Sequence, residues 1–370
     1  MVRRAPVYVL VEVRGETGFA PRTLPNGRRR LHNIGTMGRF FALSCALAAT
    51  ALAACGGGSS SSEKPWVVVA HDQPSALLSV RAAGANDVWV VGAHDSTGPV
   101  LEHYDGTGWT RVASNLAANI DVWWVTSWPD GHVLVGGSQG AIAQSVGGAA
   151  FTQLTTPPGN VTVFGLWGAA SNDVWAVGGT GAGGAFVWRF DGTTWTAQTI
   201  DADIATCWKV NGRAASDVWI SCTNGTTLHW DGTALQRMDI PDAQNQQASL
   251  FSIGASDKRV ITVGGAGTGV LYENDGSGWT SPLGSVGVLL SGVAVSADDD
   301  AYAVGAGGTI LHGASGAAWQ TEPSGTFEDL HAAAIDDTGD VWAVGGRFNQ
   351  TPRVAGVLLH AGAALKGSFP

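Results

Sequence analysis

The sequence predicts an all-β fold, a seven-bladed β-propeller whose blades are four-stranded antiparallel sheets. Three observations support this prediction. A short phrase, written SNDVWAVGG at 171–179, recurs with variations every 40 to 44 residues. Gly accounts for 53 of 370 residues and Trp for 16, while only 14% of residues are charged. This composition favours tight turns and large buried side chains, and a period near 42 residues marks a repeat architecture.

The N-terminal part of the chain has the features of a targeting signal and is not expected to belong to the folded domain. Residues 37–54 contain Arg39 and then an apolar run that ends in small residues. This is the pattern of a secretion signal, and the run is too short for a comfortable membrane span; the alternative is a buried apolar strand or helix. Residues 55–64 are a Gly/Ser-rich tether. We interpret residues 1–36 as an upstream extension that is not part of the native protein.

The chain after this signal is acidic. Eight of the 20 basic residues and only two of the 30 acidic residues precede Cys55, which leaves a net charge of −16 from Cys55 onwards. Such a surface repels phosphate backbones, so we expect no nucleic-acid partner. Cationic groups, metal ions and basic protein patches are attracted to it.

Three residue columns appear when the seven copies of the phrase are aligned. The first column is aromatic or branched, and we expect its side chains to pack between neighbouring blades, each contributing about 4 to 6 kcal/mol through burial. The second is mostly Gly and is expected to supply positive φ for the next turn. The third is mostly Asp and is expected to accept backbone hydrogen bonds in the turn before the second strand. The columns are Trp89, Val133, Trp175, Trp219, Ile261, Tyr302 and Trp342; Gly92, Gly136, Gly178, Cys222, Gly264, Gly305 and Gly345; and Asp87, Gly131, Asp173, Asp217, Arg259, Asp300 and Asp340.

Each copy reads as four short strands, which the third copy illustrates. An apolar opener at 161–164 is followed by 174–177, which is apolar on both faces as a strand buried on both sides requires. A Gly-rich turn leads into 185–190, and a favoured Asp-Gly hairpin signal returns the chain as 194–197. Four strands in about 42 residues leave no room for a helix. Sheets that must hide both faces stack radially into a propeller.

The seventh copy ends without an obvious fourth strand, and two segments compete to complete it. The stretch 65–70, which contains Trp66, lies at the usual distance before the first copy. We predict that this N-terminal strand completes the last blade and closes the ring, with Leu365 in the C-terminal tail as the alternative. The propeller therefore spans residues 65–370.

Over residues 65–370 the pattern is similar to kelch-type and Asp-box propellers, and it resembles especially the DVWAVG-repeat lipoproteins of Gram-negative bacteria. The kelch resemblance rests on Gly178-Gly179, Phe190-Asp191 and Trp195 in the third copy. The spacing from Phe190 to Trp195 is shorter than in kelch repeats, and the Asp-box has one more residue between its Asp and its Trp. The resemblance implies the fold, whereas propellers serve as enzymes, lectins and scaffolds alike.

Residues 52–55, LAAC, resemble the bacterial lipobox, in which the Cys is acylated and becomes the mature N-terminus. This resemblance implies lipidation of Cys55. It also implies stable anchoring of the protein in a membrane once two or three acyl chains are attached to it. Gly rather than Asp follows the Cys, which by the same resemblance implies the outer membrane of the cell envelope. The side of that membrane that the protein faces is left open, and we expect a monomer.

Catalytic motifs are few. A sialidase-like Arg trio with Tyr and acidic partners does not stand out, nor does a copper site with a Cys next to a Tyr. Gly136–Gly140 matches GxSxG and Gly179–Gly184 matches GxGxxG, yet both lack the following helix that these motifs require. We interpret the acidic runs 298–300 and 336–337 as turns, with a structural cation as the alternative. We expect no catalytic residues, no cofactor and no metal.

Cys207 and Cys222 are the remaining thiols after Cys55. They lie on adjacent antiparallel strands of the fourth copy, on either side of a hairpin centred at residues 214 and 215. In an oxidising compartment we expect them to form a disulfide.

The connections that vary among the copies predict the ligand face, because variable loops on a regular scaffold usually carry function. The opposite face carries repetitive Asp and Asp-Gly turns. We predict a lipid-anchored scaffold that binds an envelope protein or a glycan. The alternatives are a carbohydrate-active hydrolase or lyase that uses the same face, and solvated loops without a partner. The candidate binding residues are His94, Asp95, Asp201, Asp203, Asp242, Glu328, Asp329, Arg347 and Phe348.

Overall fold

The structure, a computed structural model, describes residues 64–157, 159, 161–180, 184–314 and 316–370. The predicted extension, the predicted signal, Cys55 and nearly all of the tether lie outside the described residues. Within the described ranges, no helix is long and apolar enough to cross a membrane.

The described residues form seven antiparallel sheets of four main strands, which confirms the predicted propeller. Within each of the first six sheets the strands pair in sequence order. Before them comes β1 (Val67–Gln73). The first three blades contain β2 (Leu77–Gly84), β3 (Asp87–Asp95), β4 (Gly98–Tyr104) and β5 (Trp109–Arg111); β6 (Val122–Ser127), β7 (His132–Gly137), β8 (Ile142–Val146) and β9 (Thr152–Gln153); and β10 (Val161–Ala170), β11 (Asp173–Thr180), β12 (Ala185–Phe190) and β13 (Trp195–Ala197).

The remaining blades repeat this order. The fourth to sixth contain β14 (Cys207–Ala214), β15 (Asp217–Cys222), β16 (Thr226–Trp230) and β17 (Leu235–Asp239); β18 (Ser249–Ala255), β19 (Val260–Gly265), β20 (Gly269–Asn274) and β21 (Trp279–Thr280), with the short β22 (Ser285–Val286) also paired to β20; and β23 (Leu290–Val295), β24 (Ala301–Gly305), β25 (Ile310–Gly313) and β26 (Gln320–Glu322). The seventh contains β27 (Leu330–Ile335), β28 (Val341–Arg347) and β29 (Val354–Ala361).

The outer strand of the seventh sheet comes from the other end of the chain. β1 pairs antiparallel with β29, with Val67 opposite His360. β1 begins directly after Trp66, whereas Leu365 lies outside the strands and packs against the core that the first and seventh blades share. That shared core contains Val80 of the first blade and Trp342 of the seventh.

A helix occurs where none was expected. α1 (Pro241–Asn245) lies in the connection between the fourth and fifth blades, with Pro at its first position, where a fixed φ and a missing N–H cost nothing. The expectation of no helix rests on the number of residues that four strands need in each copy. The connection between two sheets lies outside those strands and has room for a short helix. Two single 3₁₀ turns occur at Ser138–Gly140 and Ala306–Gly308.

The first column packs between blades as expected, with one correction in the second blade. Trp175 is fully buried in the core shared with the fourth blade. In the second blade Val122 faces Gly137, as Leu77 faces Gly92 in the first. Leu134 therefore takes the column position instead of Val133, and it packs against the third blade. The two adjacent glycines at 136–137 permit two alignments of this copy, and the strand register selects the one with Gly137.

The Gly column was assigned the wrong role. Gly92, Gly178 and Gly345 do not have positive φ. A Cβ atom on Gly178 would instead overlap the carbonyl oxygen of Thr162 on the first strand, and Gly345 meets the same obstacle at Asp329. The column therefore lets the first two strands approach closely. In the second blade Gly137, not Gly136, meets a carbonyl oxygen in this way, that of Asp121 directly before the first strand.

In the fourth blade the same position holds a covalent link. Cys222 replaces the Gly and forms a disulfide with Cys207, the residue directly opposite on the first strand. The Cα atoms are 3.9 Å apart, and both residues are fully buried. The predicted disulfide is confirmed.

The Asp column also differs from its expected role. Asp87 Oδ1 lies 2.8 Å from His103 Nε2 on the third strand, and the His103 ring stacks on Trp89 with centroids 4.2 Å apart. The Asp thus orients a ring that covers the flat face of the column aromatic. Other residues accept the hydrogen bonds that the turn N–H groups donate. Asp336 Oδ1, for example, accepts a hydrogen bond from the backbone N–H of Asp340. The equivalent pairs are Asp173 with Arg189, Asp217 with His229 and Asp300 with His312.

Candidate functional site: an aromatic cavity at the channel mouth

Each first strand has a register shift near its start, consistent with a β-bulge, and the shift falls at the same place in all seven blades. A bulge places two residues opposite one and turns the extra side chain in a new direction. Because the first strands contact one another around the propeller axis, these extra side chains lie near the mouth of the central channel. They are Leu78, Trp123, Phe164, Trp208, Phe251, Ser291 and His331.

Four of these bulge residues form an aromatic wall. Ring centroids are 5.2 Å apart between Trp123 and Phe164, 4.9 Å between Phe164 and Trp208, and 5.4 Å between Trp208 and Phe251. The rings meet edge to face or tilted, the arrangement that aromatic pairs prefer. Together with Phe348 they line a cavity of about 370 Å³, which we call the aromatic cavity.

Lys209 forms the floor of the aromatic cavity. On β14, Trp208 and Lys209 line this cavity, while Val210 and Asn211 line a second cavity at the other end of the channel. The side chain is buried, and its Nζ donates a hydrogen bond to the carbonyl oxygen of Phe164 at 2.6 Å. The Nζ atom also lies 4.2 Å from the centroid of the Trp124 ring. Burial lowers the pKa of Lys209 to about 7.

His331 completes the wall beside Trp123, with ring centroids 5.6 Å apart. Its Nδ1 contacts the carbonyl oxygen of Leu78 in the first blade. Burial and the neighbouring Lys209 charge lower the pKa of His331 to about 3. The ring is therefore neutral at pH 7 and donates from Nδ1, which leaves Lys209 as the titrating group within the cavity.

The rim carries a chain of charged contacts that reaches a predicted residue. The Arg353 guanidinium lies over the Trp123 ring, 5.0 Å from its centroid, and its Nη1 is 2.8 Å from Asp121 Oδ2. His94 Nδ1 lies 2.7 Å from the other oxygen of Asp121. The loop residues Asn349, Gln350 and Thr351 complete the lining.

The structure brings only some of the predicted binding residues to this cavity. Phe348 lines it and packs on His331, with centroids 4.7 Å apart. Arg347 is exposed and pairs with Glu328 at 3.2 Å. Asp329 accepts the Gly307 N–H, while Asp95 pairs with Arg111 away from the cavity.

A second group of predicted residues lies on the outer part of the fourth blade. Arg237 pairs with Asp201 at 3.2 Å and with Asp203 at 2.9 Å, and Asp239 also holds it. These carboxylates raise the pKa of Arg237. Asp242 lies nearby in the first turn of α1. The group is already charge-paired.

The acidic runs act in turns and ion pairs. Asp299 is buried and accepts hydrogen bonds from Arg259 and Ser256, while Asp300 binds His312. Within the described ranges, no cluster of three or more His, Cys, Asp or Glu side chains is arranged to hold a metal ion.

Most of the residues that line the cavity are not among those predicted from the sequence: Trp123, Phe164, Trp208, Phe251, Lys209, His331 and Arg353. A signal for the bulge residues was present, because each lies 13 or 14 residues before the Gly column. Position 164, for example, precedes Gly178 by 14 and position 251 precedes Gly264 by 13. Aromatic residues recur there in four consecutive copies. Arg353 and Lys209 have no repeated counterpart, so periodicity does not reveal them.

No family model matches the chain, and no curated protein matches it. Among solved structures it is similar to YCF48 bound to D1 peptide, with a TM-score of 0.61, 14% identity and coverage of 82% of this chain and 98% of that chain. It is also similar to the WD40 β-propeller domain of Doa1, with a TM-score of 0.60, 13% identity and coverage of 80% and 97%. A third is a catalytically inactive virginiamycin B lyase from Staphylococcus aureus with quinupristin, with a TM-score of 0.57, 13% identity and coverage of 79% and 97%.

At these identities the likeness shows the fold alone. The protein is a seven-bladed β-propeller of antiparallel sheets. Its kelch-like and lipoprotein character stays a prediction.

Proposed function

We propose that the protein is a binding scaffold that takes up a segment of a partner protein in the aromatic cavity. The observation that carries this proposal is the cavity wall, in which Trp123, Phe164, Trp208 and Phe251 present rings at one channel mouth. Buried aromatic anchors seated in a concave site dominate the energy of many protein interfaces. The fold supports the same conclusion by analogy, since one similar propeller was solved bound to a peptide.

A carbohydrate-active hydrolase or lyase is less well supported by these residues. Most glycoside hydrolases use a pair of carboxylates beside the scissile bond. None of the described residues that line the aromatic cavity is a carboxylate or a tyrosine. A glycan ligand without catalysis remains an outcome that the binding test distinguishes.

The binding test is a selection of random dodecapeptides that are displayed with free C-termini. We expect peptides that bind the wild-type protein and lose at least tenfold in affinity for the Trp123→Ala and Trp208→Ala variants. An Asp203→Ala variant, altered in the charge-paired group of the fourth blade, serves as the matched control and should bind as the wild type does. Peptides that bind all four proteins equally, or oligosaccharides that bind where no peptide does, would argue against the proposal.

We also propose that the scaffold is a lipoprotein anchored through Cys55 in the outer membrane. The supporting pattern is the apolar run of 37–54 followed by LAAC and a Gly/Ser tether. Metabolic labelling with a palmitate analogue in a Gram-negative host should mark the wild-type protein and leave Cys55→Ser unlabelled. Equal labelling of both proteins, or of neither, would contradict the anchor.

A further inference from the structure

We infer that the aromatic cavity binds the C-terminal end of a peptide, with the terminal carboxylate paired to the Lys209 ammonium. This inference rests on the proposed function and specifies its ligand. Lys209 is a buried cation that has no counterion among the described residues. None of the described carboxylates lies within ion-pair distance of Lys209, although its side chain is buried at the cavity floor.

The contacts of Lys209 leave a place for one anionic oxygen. An ammonium has three N–H donors. One donates to the carbonyl oxygen of Phe164 at 2.6 Å, and the Nζ atom also lies near the Trp124 ring. A buried charge is stabilised by a close partner, since unpaired burial is costly. A carboxylate entering from the cavity supplies this partner and the missing acceptor.

The other charges near the cavity do not fill this role. His331 on β27 is neutral at pH 7, and Arg353 on the rim is already paired with Asp121. The strands that contribute Phe251, Phe164 and Trp123 to the cavity present no charged side chain to it. An anion that enters the aromatic cavity would therefore pair with Lys209 at its floor.

The size of the cavity favours a chain end over an internal loop. A volume of about 370 Å³ lies near the lower end of the range for small-molecule sites, about 300 to 1,000 Å³. A loop has to enter and leave through the same mouth, whereas a chain end enters once. The aromatic wall accommodates an apolar final side chain while the floor takes the carboxylate. Capture of a terminal carboxylate is a known mode of peptide recognition.

Three synthetic probes test this inference by calorimetry on the purified full-length protein. The first is N-acetyl-alanyl-phenylalanyl-phenylalanine with a free carboxylate, the second is its C-terminal amide, and the third is the amide with glutamate in place of the first phenylalanine. We expect the free acid to bind at least tenfold more tightly than either amide. The Lys209→Met variant should bind the acid no better than the neutral amide, while Lys209→Arg retains part of the preference.

The dependence on pH gives a second readout. Binding of the acid should weaken as pH rises above 7, by up to about tenfold per pH unit, because the free protein then holds a neutral Lys209. The Lys209→Arg variant should show no such loss. This difference separates a direct charge contact from a merely structural role of the side chain.

The outcomes distinguish this inference from the proposed function. Equal binding of acid and neutral amide, both lost in Trp208→Ala, would overturn the carboxylate contact and leave peptide binding intact. Tight binding of the glutamate probe would place a side-chain carboxylate at Lys209 and refute the chain-end inference. If no probe binds while selected dodecapeptides do, the inference also fails. Failure of probes and dodecapeptides together contradicts both proposals.

Discussion

Two columns of aromatic residues run through the same repeat, and they differ in what surrounds them. The second-strand column, represented by Trp175, is fully buried between blades and is covered by third-strand side chains such as Arg189. The first-strand column, represented by Trp208, is half-buried and faces the aromatic cavity. The comparison teaches that the same type of residue, tryptophan, can serve two purposes. On a regular strand it stabilises the fold, and at a bulge it lines the candidate site.

The largest effect is expected where an aromatic of the framework is removed. Trp175→Ala should lower the free energy of unfolding by about 3 to 5 kcal/mol, because a fully buried side chain leaves a cavity between blades. Trp208→Ala should cost only about 1 kcal/mol, since the ring borders an existing cavity. Urea denaturation measures both. Equal losses for the two variants would remove the distinction between framework and site.

The close approach of the first two strands gives the next effect. Gly178→Ala should destabilise the protein by about 2 to 3 kcal/mol, because the new methyl group overlaps a first-strand carbonyl oxygen. Gly108→Ala is the matched control, since a Cβ atom there has no neighbour within 4 Å. It should change the free energy of unfolding by less than about 0.5 kcal/mol. A neutral Gly178→Ala would mean that the strands separate easily.

A buried histidine of the cavity predicts acid sensitivity. The pKa of His331 is lowered to about 3, so between pH 6.5 and 3 the unfolded chain binds a proton that the folded protein does not. Stability is therefore lost as pH falls below 6.5, by about 2 kcal/mol between pH 7 and 5. His331→Phe should flatten this part of a plot of unfolding free energy against pH. An unchanged slope would assign the acid sensitivity to other groups.

For His312, a histidine of the framework, we expect the opposite dependence of the unfolding free energy on pH. Hydrogen bonds to Asp300 and then to Glu322 raise the pKa of His312 to about 9. Its contribution is complete below about pH 6.5 and is lost as pH rises to 9. Because the ring is partly exposed, we expect a loss of only about 1 kcal/mol. His312→Gln should remove this loss in alkaline urea titrations, and a loss that persists in the variant would speak against the assignment.

The sequence was sufficient for the framework because the framework repeats. Seven spaced copies of one phrase determine the blade count, the sheet order and the buried column that includes Trp175. The error at Val133 arose because adjacent glycines permit two alignments, and only strand register decides between them. The Gly and Asp roles were misassigned because both depend on the neighbouring strand, which is distant in sequence.

The site was harder to predict because it depends on single residues that do not recur. Lys209 lies where five of the other blades have Gly or a small residue, such as Gly165 and Ser252. The second blade has Trp124 at this position. Nothing local indicates that the Lys209 side chain lines the cavity. Arg353 reaches Asp121 across 232 positions of sequence. Phe348 is among the predicted binding residues because it lies in a connection that varies between the copies, and such variation indicates function.

Pairing of the first described strand with the last one also has a consequence for biosynthesis. β1 emerges from the ribosome nearly three hundred residues before β29, its partner. Until then its edge stays unpaired, and such edges invite association with other chains. Completion of the seventh sheet is therefore expected to be the last step of folding, and a helper protein that shields residues 67–73 during synthesis would raise the yield of native protein.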